Sequence, residues 1–211
     1  MLRTILLCGA AAAAFVATAC APGAWGQSGG VGGGASTAGT ADPTFYDVPF
    51  GTRDLRRGMN GTDVQTLNWT LQGLEMGAPP HTTFDATTDG WVRHFQSSAG
   101  LAANGVVNQY TRKSIASRMR NQKASWYGPG FWGRRTACGE KLRKSTVGVA
   151  HRRLPCGTRV VFAYRGRWVR ATVIDRGPYT KGRKWDLTRA LAWQLGTARK
   201  GTAKVKVAAA R

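Results

Sequence analysis

The hydrophobic pattern changes period part-way along the chain, and this change constrains the fold more than any other feature. Between residues 51 and 120, apolar side chains recur at helical spacing, as Leu67, Leu71 and Leu74 do. Between residues 124 and 208, short β-rich runs are separated by Pro and Gly. The pattern therefore predicts a compact helical domain at 51–120, followed by a small mixed β domain at 124–208.

Local signals place the elements within each domain. We predict a first helix capped by Thr62 and ended by residues 77–80, a second from about Ala86 to Ser98, and a third that starts near Asn108.

In the second domain, residues 158–164 and 167–174 predict two strands joined by a turn, and residues 202–207 predict a last strand. Residues 187–195, after Asp186, predict a short helix.

The composition excludes several classes of protein. An apolar share of 42% is too high for a fully disordered chain. No apolar run reaches the roughly 18–20 residues of a membrane-spanning helix. The 28 glycines lack the three-residue period of collagen.

The first 50 residues predict export. A short basic start precedes the apolar segment 4–19, which is typical of a secretory signal. Cys20 follows small residues, so the segment also resembles a bacterial lipobox, and both lipidation at Cys20 and ordinary cleavage remain open. We expect a signal peptide or lipoprotein signal at 1–25 and a Gly-rich flexible linker at 26–50.

The positive charge is concentrated in the last part of the chain. The formal net charge is +21, and residues 121–211 hold 22 basic side chains against three carboxylates. Such a surface binds polyanions. Because export makes nucleic acid an unsuitable partner, we expect peptidoglycan and anionic wall polymers, with membrane attachment only through a lipid anchor.

The cysteines indicate one disulfide. Cys8 and Cys20 lie in or beside the signal, which leaves Cys138 and Cys156 in the second domain. In an oxidising compartment these two thiols predict a bridge that closes a loop of about 19 residues and contributes about 3 kcal/mol. The competing metal site lacks ligands, because none of the three histidines has metal-site spacing to the cysteines.

Residues 53–118 resemble the first type of peptidoglycan-binding domain, a small three-helix module. The matching motifs occur in order: Gly61-x-Asp63-Val64-x-x-Leu67, Phe84-Asp85, Val92-x-x-Phe95-Gln96 and Gly105-Val106-Val107. Asn104 stands where the family usually has Asp. The resemblance implies binding to glycan or stem peptide, and the alternative is a helical spacer with the same core pattern.

Five ordered motifs in 124–208 resemble the rare lipoprotein A family. They are Ala124–Gly128, Gly133–Glu140, Ala150–Thr158, Val173–Tyr179 and Trp185–Thr188. The resemblance implies a six-stranded double-psi β-barrel that acts on peptidoglycan glycan strands. The predicted fold is therefore multidomain: a three-helix all-α domain followed by a mainly β barrel.

The same resemblance implies that Asp175 and Glu140 are the catalytic carboxylates. Further candidates for catalysis or substrate contact are Asp186, His151, Arg176, Trp126, Tyr127 and Tyr179. Cys138 replaces the usual Asn, consistent with its pairing to Cys156. Arg143 stands where many members carry Asp, so a carboxylate that those members have is missing here.

Each candidate also has a structural alternative. Asp175 lies in Asp-Arg-Gly-Pro, which is favourable turn chemistry. Asp186 is placed to cap the helix predicted after it. The others are also suited to ion pairs, surface hydrogen bonds or core packing: Glu140, Arg176, His151, Trp126 and Tyr127.

We therefore expect an exported, monomeric lytic transglycosylase that cleaves the MurNAc–GlcNAc bond to a 1,6-anhydro product without metal or organic cofactor. Glycosidic cleavage needs a proton donor at the leaving oxygen. When the sugar's own 6-hydroxyl attacks, one acid/base group is sufficient, which suits a domain with three carboxylates. The alternatives are a non-catalytic wall-binding or expansin-like wall-loosening protein, which Arg143 and the positive charge favour, and a hydrolase that leaves reducing ends.

Overall fold

The computed structural model describes residues 47–210. The predicted signal at 1–25, the lipidation candidate Cys20 and most of the predicted linker at 26–50 lie outside the described residues. Three helices come first in this part of the chain: α1 (Thr62–Gly73), α2 (Ala86–Ser98) and α3 (Gln109–Arg118).

The helix predictions are confirmed for α2 and corrected for α1. The bounds of α2 are those predicted, and Asp85 caps it by accepting a 2.7 Å hydrogen bond from the Thr88 N–H. Thr62 is not a cap, because it is the first residue of α1 and its hydroxyl donates to Asp47 and Val48 instead. α1 also ends at Gly73, before the predicted stop at 77–80, because Glu75 takes a left-handed conformation there.

The helices enclose one core of apolar side chains. Leu67, Leu71, Phe84 and Ile115 are fully buried in it, and Phe50 packs there from the segment before α1. Among the described residues, no helix has both the length and the apolar character needed to cross a membrane.

Six strands follow and close into a barrel. They are β1 (Arg120–Tyr127), β2 (Val149–Ala150), β3 (Arg159–Tyr164), β4 (Arg167–Asp175), β5 (Trp185–Thr188) and β6 (Thr202–Ala209). Their order around the barrel is β1-β5-β2-β4-β3-β6, in which β1 and β5, and β2 and β4, pair in parallel. The expected three-helix domain followed by a six-stranded double-psi barrel is therefore the observed fold.

One predicted boundary in the barrel is wrong. Residues 187–188, predicted as helix, belong to β5, and the helix α4 (Arg189–Leu195) starts only after Thr188. The Thr188 hydroxyl caps this helix by accepting from the Leu191 N–H, so Asp186 is not its N-cap. A short 3₁₀ turn at Ala198–Lys200 leads into β6.

The helical module packs directly on the barrel. α1 lies against β3 and β6, and a Cβ added to Gly73 would stand 2.5 Å from the Ala208 carbonyl carbon. Phe50 meets Trp168 edge-on, with 5.0 Å between ring centroids. The described residues 47–210 accordingly belong to one compact unit.

Candidate active site

Asp175 and Asp186 lie on either side of Ala150 in the barrel wall. In the sheet register Ala150 pairs with Asp186 on β5 and with Asp175 on β4. A register irregularity advances β4 by two residues where β2 advances by one, and this brings Asp175 beside Ala150. Two strand spacings put the backbones of the two aspartates roughly 10 Å apart.

Backbone donors fix the Asp175 carboxylate at the end of β4. Its Oδ1 accepts 2.8 Å hydrogen bonds from the N–H groups of Ala137 and Arg176. The same strand end is bonded by two loops, because the Cys138 N–H donates to the Ile174 carbonyl and the Gly157 N–H donates to the Val173 carbonyl. The carboxylate therefore has a defined orientation.

The predicted disulfide is confirmed. Cys138 and Cys156 are bonded, with 5.8 Å between their Cα atoms. The bridge joins the two loops that hold the end of β4, so it supports the position of Asp175. Arg176 lies beside it, with Nη2 3.4 Å from the Cys156 sulfur.

Glu140 closes the turn that begins at Thr136. The Thr136 N–H donates to the Glu140 carbonyl oxygen at 2.7 Å, and the Thr136 hydroxyl accepts from the Glu140 N–H at 3.2 Å. The residue is exposed. Its side chain thus faces solvent. The same turn contains Ala137, whose backbone N–H donates to Asp175.

The buried Tyr127 hydroxyl lies within the electrostatic influence of the three carboxylates of the barrel domain. Burial raises the pKa of Tyr127 well above its usual range, and the negative charges of Asp175, Asp186 and Glu140 raise it further. The hydroxyl is buried and near Asp175, yet within residues 47–210 no group meets it in normal hydrogen-bond geometry. A neutral phenol therefore lies near Asp175.

Asp186 is half-buried on β5. The buried Ser125 hydroxyl donates to its Oδ1 at 2.8 Å across the β1–β5 pair. Burial raises the pKa of Asp186, the Ser125 bond and Arg183 oppose this, and the charge of Asp175 adds to the rise. The two aspartates therefore differ in surroundings, as in sites where carboxyl groups take different roles.

His151 follows Ala150 and is held as a neutral ring. Its Nδ1 accepts from the N–H groups of Arg153 and Leu154, and the ring packs on Trp185 at 4.4 Å between centroids. Burial lowers the pKa of His151, and four neighbouring cations lower it further: Lys184, Arg176, Arg152 and Arg153.

The remaining predicted site residues, Trp126, Arg176 and Tyr179, do not contact the carboxylate groups of the site in the same way. Trp126 packs against the barrel core and its indole N–H donates to the Ala198 carbonyl at 2.9 Å, so the structure does not bring it to the carboxylates. Arg176 Nη1 points at the Asp175 carbonyl oxygen, at 3.5 Å, rather than at a carboxylate. Tyr179 is 81% exposed on the loop after β4.

Sequence reasoning missed two groups that organise the site. Ser125 lies inside a recognised motif, but nothing in a lone Ser indicates the carboxylate that it meets on β5. The backbone N–H of Ala137 carries no side-chain signal. Within residues 47–210, His, Cys, Asp and Glu side chains form no cluster of three suited to a metal ion.

Replacing Asp186 by Asn is expected to stabilise the protein at neutral pH and to lose this gain in acid. A raised pKa means that the folded state takes up a proton more readily than the unfolded state, so acidification favours the folded wild type. The gain is full above the raised pKa and vanishes below the ordinary value near 3.9. Because Asp186 is half exposed, the expected gain is below about 1 kcal/mol.

Urea unfolding at pH 7 and pH 4 measures this difference. Asp85→Asn is the matched control, because the Thr88 N–H lowers the pKa of Asp85 and reverses the sign. A less stable Asp186→Asn protein at pH 7 would contradict the argument.

Comparisons with known proteins agree with this architecture. Residues 119–207 match the family model described as "Lytic transglycolase", and residues 60–115 match the one described as "Putative peptidoglycan binding domain". The chain is 42% identical over 101 residues to "Probable endolytic peptidoglycan transglycosylase RlpA" of Synechocystis sp., covering 47% of this chain and 32% of that protein. Over its barrel the chain is therefore similar to the RlpA proteins.

A second relative is similar to a longer part of this chain. It is 35% identical over 132 residues to "Endolytic peptidoglycan transglycosylase RlpA" of Neisseria meningitidis serogroup A, covering 60% of this chain and 55% of that protein. The chain thus spans 32% and 55% of the lengths of these two relatives.

Two solved structures are also similar to this chain. One is the Streptomyces papain inhibitor, with a TM-score of 0.37, 24% identity and coverage of 44% of this chain and 94% of that one. The other is the apo expansin of Clavibacter michiganensis, with a TM-score of 0.36, 21% identity and coverage of 43% and 50%.

Proposed function

We propose that this protein is an exported peptidoglycan lytic transglycosylase that cleaves the MurNAc–GlcNAc bond and leaves a 1,6-anhydro end. The observation that carries the proposal is the fixed Asp175 carboxylate, which lies across Ala150 from Asp186 in a barrel that matches the lytic transglycolase model. The names of the relatives at 35–42% identity support the reaction and the substrate.

The chemistry requires two proton transfers and one exchange of bonds. As C1 of MurNAc separates from the bridging oxygen, a protonated carboxyl gives that oxygen its proton. The 6-hydroxyl of the same sugar attacks C1, and a carboxylate takes the hydroxyl proton. No water is consumed, and the bond to O6 replaces the bond that was broken.

We assign these transfers to Asp175 and Glu140 as an acid/base pair. Asp175 has the fixed orientation that proton transfer needs, because Ala137 and Arg176 hold its Oδ1. Glu140 is exposed next to this anchor and is free to meet a long polymer. Asp186 and Tyr127 are the other polar side chains near this pair. The neutral Tyr127 phenol can donate a hydrogen bond to the negative charge that develops on the leaving oxygen.

The helical module supplies attachment to the wall. Residues 60–115 match a peptidoglycan-binding family, which supports a role in binding rather than catalysis. Cell-wall association follows from this module together with the barrel. Export rests on the signal-like segment 1–25, and the monomeric state, a lipid anchor and binding to anionic wall polymers remain predictions.

A second candidate function is wall binding or loosening without bond cleavage. Arg143 favours it, because this exposed cation stands where many members of the resembling family carry Asp. Two wall-binding modules in one chain would then act through avidity alone.

One product assay separates the two functions. Purified protein is incubated with peptidoglycan sacculi, and the soluble fragments are analysed by mass spectrometry. A transglycosylase releases 1,6-anhydro-muropeptides, which lack the mass of one water relative to hydrolysis products. Intact sacculi that still bind the protein would overturn catalysis in favour of binding, and reducing ends would indicate a hydrolase.

A further inference from the structure

We propose that a groove across the two modules holds the uncleaved part of an anionic glycan strand and leads it to the barrel. This seam groove consists of three adjoining hollows of about 460, 200 and 340 Å³. The first and second share Gly73, Arg120 and Val207, and the second and third share His151 and Lys184. The proposal rests on the proposed function, whose substrate it specifies.

The groove is lined by cations along its whole length. Six basic side chains border it, from α3 to the loops beside β2 and β5: Arg118, Arg120, Lys184, Arg152, Arg153 and Arg183. Glu75 is the one carboxylate among its described lining residues, and it lies 3.9 Å from Arg120. This excess of positive charge suits a ligand with repeated negative groups.

The end of the groove on the helical module is also suited to sugar rings. Trp91 and His94 line it side by side, perpendicular to each other at 5.8 Å between ring centroids. Gly77 lets the chain pass close to Trp91, because an added Cβ would stand 2.7 Å from the indole. A half-buried aromatic face beside cations accommodates the apolar face of a sugar and its carboxylate together.

The other end of the groove is joined by hydrogen bonds to the end of β4 and to the loop that follows Asp175. The backbone N–H of His151 donates to the Asp175 carbonyl oxygen at 3.1 Å. Arg152 binds the carbonyls of Pro178 and Thr180, on the loop that follows Asp175. A strand in the groove would therefore approach the carboxylates from one defined side.

The ligand chemistry follows from these linings. In a glycan strand every MurNAc carries a carboxylate, either its own lactyl group or that of an attached stem peptide. Repeating acids on a chain of sugars match a groove with cations along it and an aromatic face at one end better than a polymer of phosphates would. The occupant is accordingly the glycan strand, and stripped and peptide-bearing strands are separate arms of the test.

The test measures binding in an Asp175→Asn background, so that no strand is cut. The groove variant is Arg120→Glu with Lys184→Glu, two exposed residues at the centre of the groove. The matched control is Lys113→Glu with Lys204→Glu. It changes the net charge by the same amount at exposed positions around a different hollow. The probes are purified glycan strands of short and long defined length, with and without stem peptides.

We expect affinity to rise with strand length in the reference protein. The groove variant should bind long strands at least tenfold more weakly and short ones within about twofold, while the control stays within about threefold throughout. An equal loss in the control, affinity independent of length, or competition by a polyphosphate wall polymer rather than by glycan would overturn the proposal. Failure of catalysis alone would leave these binding results unchanged.

Discussion

Asp175→Asn is expected to lower the rate of 1,6-anhydro product release about 10²- to 10⁴-fold, the usual contribution of a general acid or base. Asn keeps the shape of Asp, and its Oδ1 still accepts from the N–H groups of Ala137 and Arg176. The loss should therefore appear in the chemical step and leave the fold intact. The measurement is the initial rate of anhydro-muropeptide release from sacculi, with thermal unfolding recorded in parallel.

Two further variants make this result specific. Glu140→Gln is expected to lower the rate as well, because it removes the second member of the acid/base pair. Asp54→Asn changes an exposed carboxylate of the helical module that pairs with Arg112, and its rate should stay within about twofold. An Asp175→Asn protein that keeps more than a third of the wild-type rate would exclude Asp175 from the chemistry.

Replacing both Cys138 and Cys156 by Ser is expected to reduce the free energy of unfolding by about 3 kcal/mol. The bridge closes a loop of about 19 residues in the unfolded chain, and its loss restores that chain entropy. The loops of Cys138 and Cys156 also hold the end of β4, so the orientation of Asp175 should loosen and activity should fall as well.

Urea denaturation of wild type and double variant, with and without reductant, measures this contribution. Reductant should shift the wild-type midpoint to that of the variant and leave the variant unchanged. A variant within 1 kcal/mol of the oxidised wild type would show that the bridge is dispensable for stability.

Sequence patterns were sufficient to predict the elements whose structure depends on neighbouring residues. The bounds of α2 follow from an amphipathic period between Asp85, which caps it, and Gly100, which takes a positive φ after it. The residues after Asp186 have good helix propensity, yet Leu187 and Thr188 pair with Trp126 and Tyr127 on β1. Strand pairing over some sixty residues outweighs local preference there, and no local pattern contains that information.

The candidate site also has a part that the sequence predicts and a part that only the folded structure shows. Family motifs identify Asp175, Glu140 and Asp186 as carboxylates of interest, but not the way in which they meet. Their arrangement depends on β2, which is two residues long, and on the register irregularity opposite it. Such non-local features set the environment of Tyr127 and raise the pKa of Asp186, and only the folded barrel reveals them.

The direct packing of α1 on the barrel has a mechanical consequence. Gly73 lies against Ala208 without room for a side chain, so the helical module and the strands are in close contact there. A tension carried by a bound strand would pass from one module to the other through packed side chains instead of stretching a tether. The distance between the site where the helical module binds the wall and the carboxylates of the barrel is then fixed by the fold.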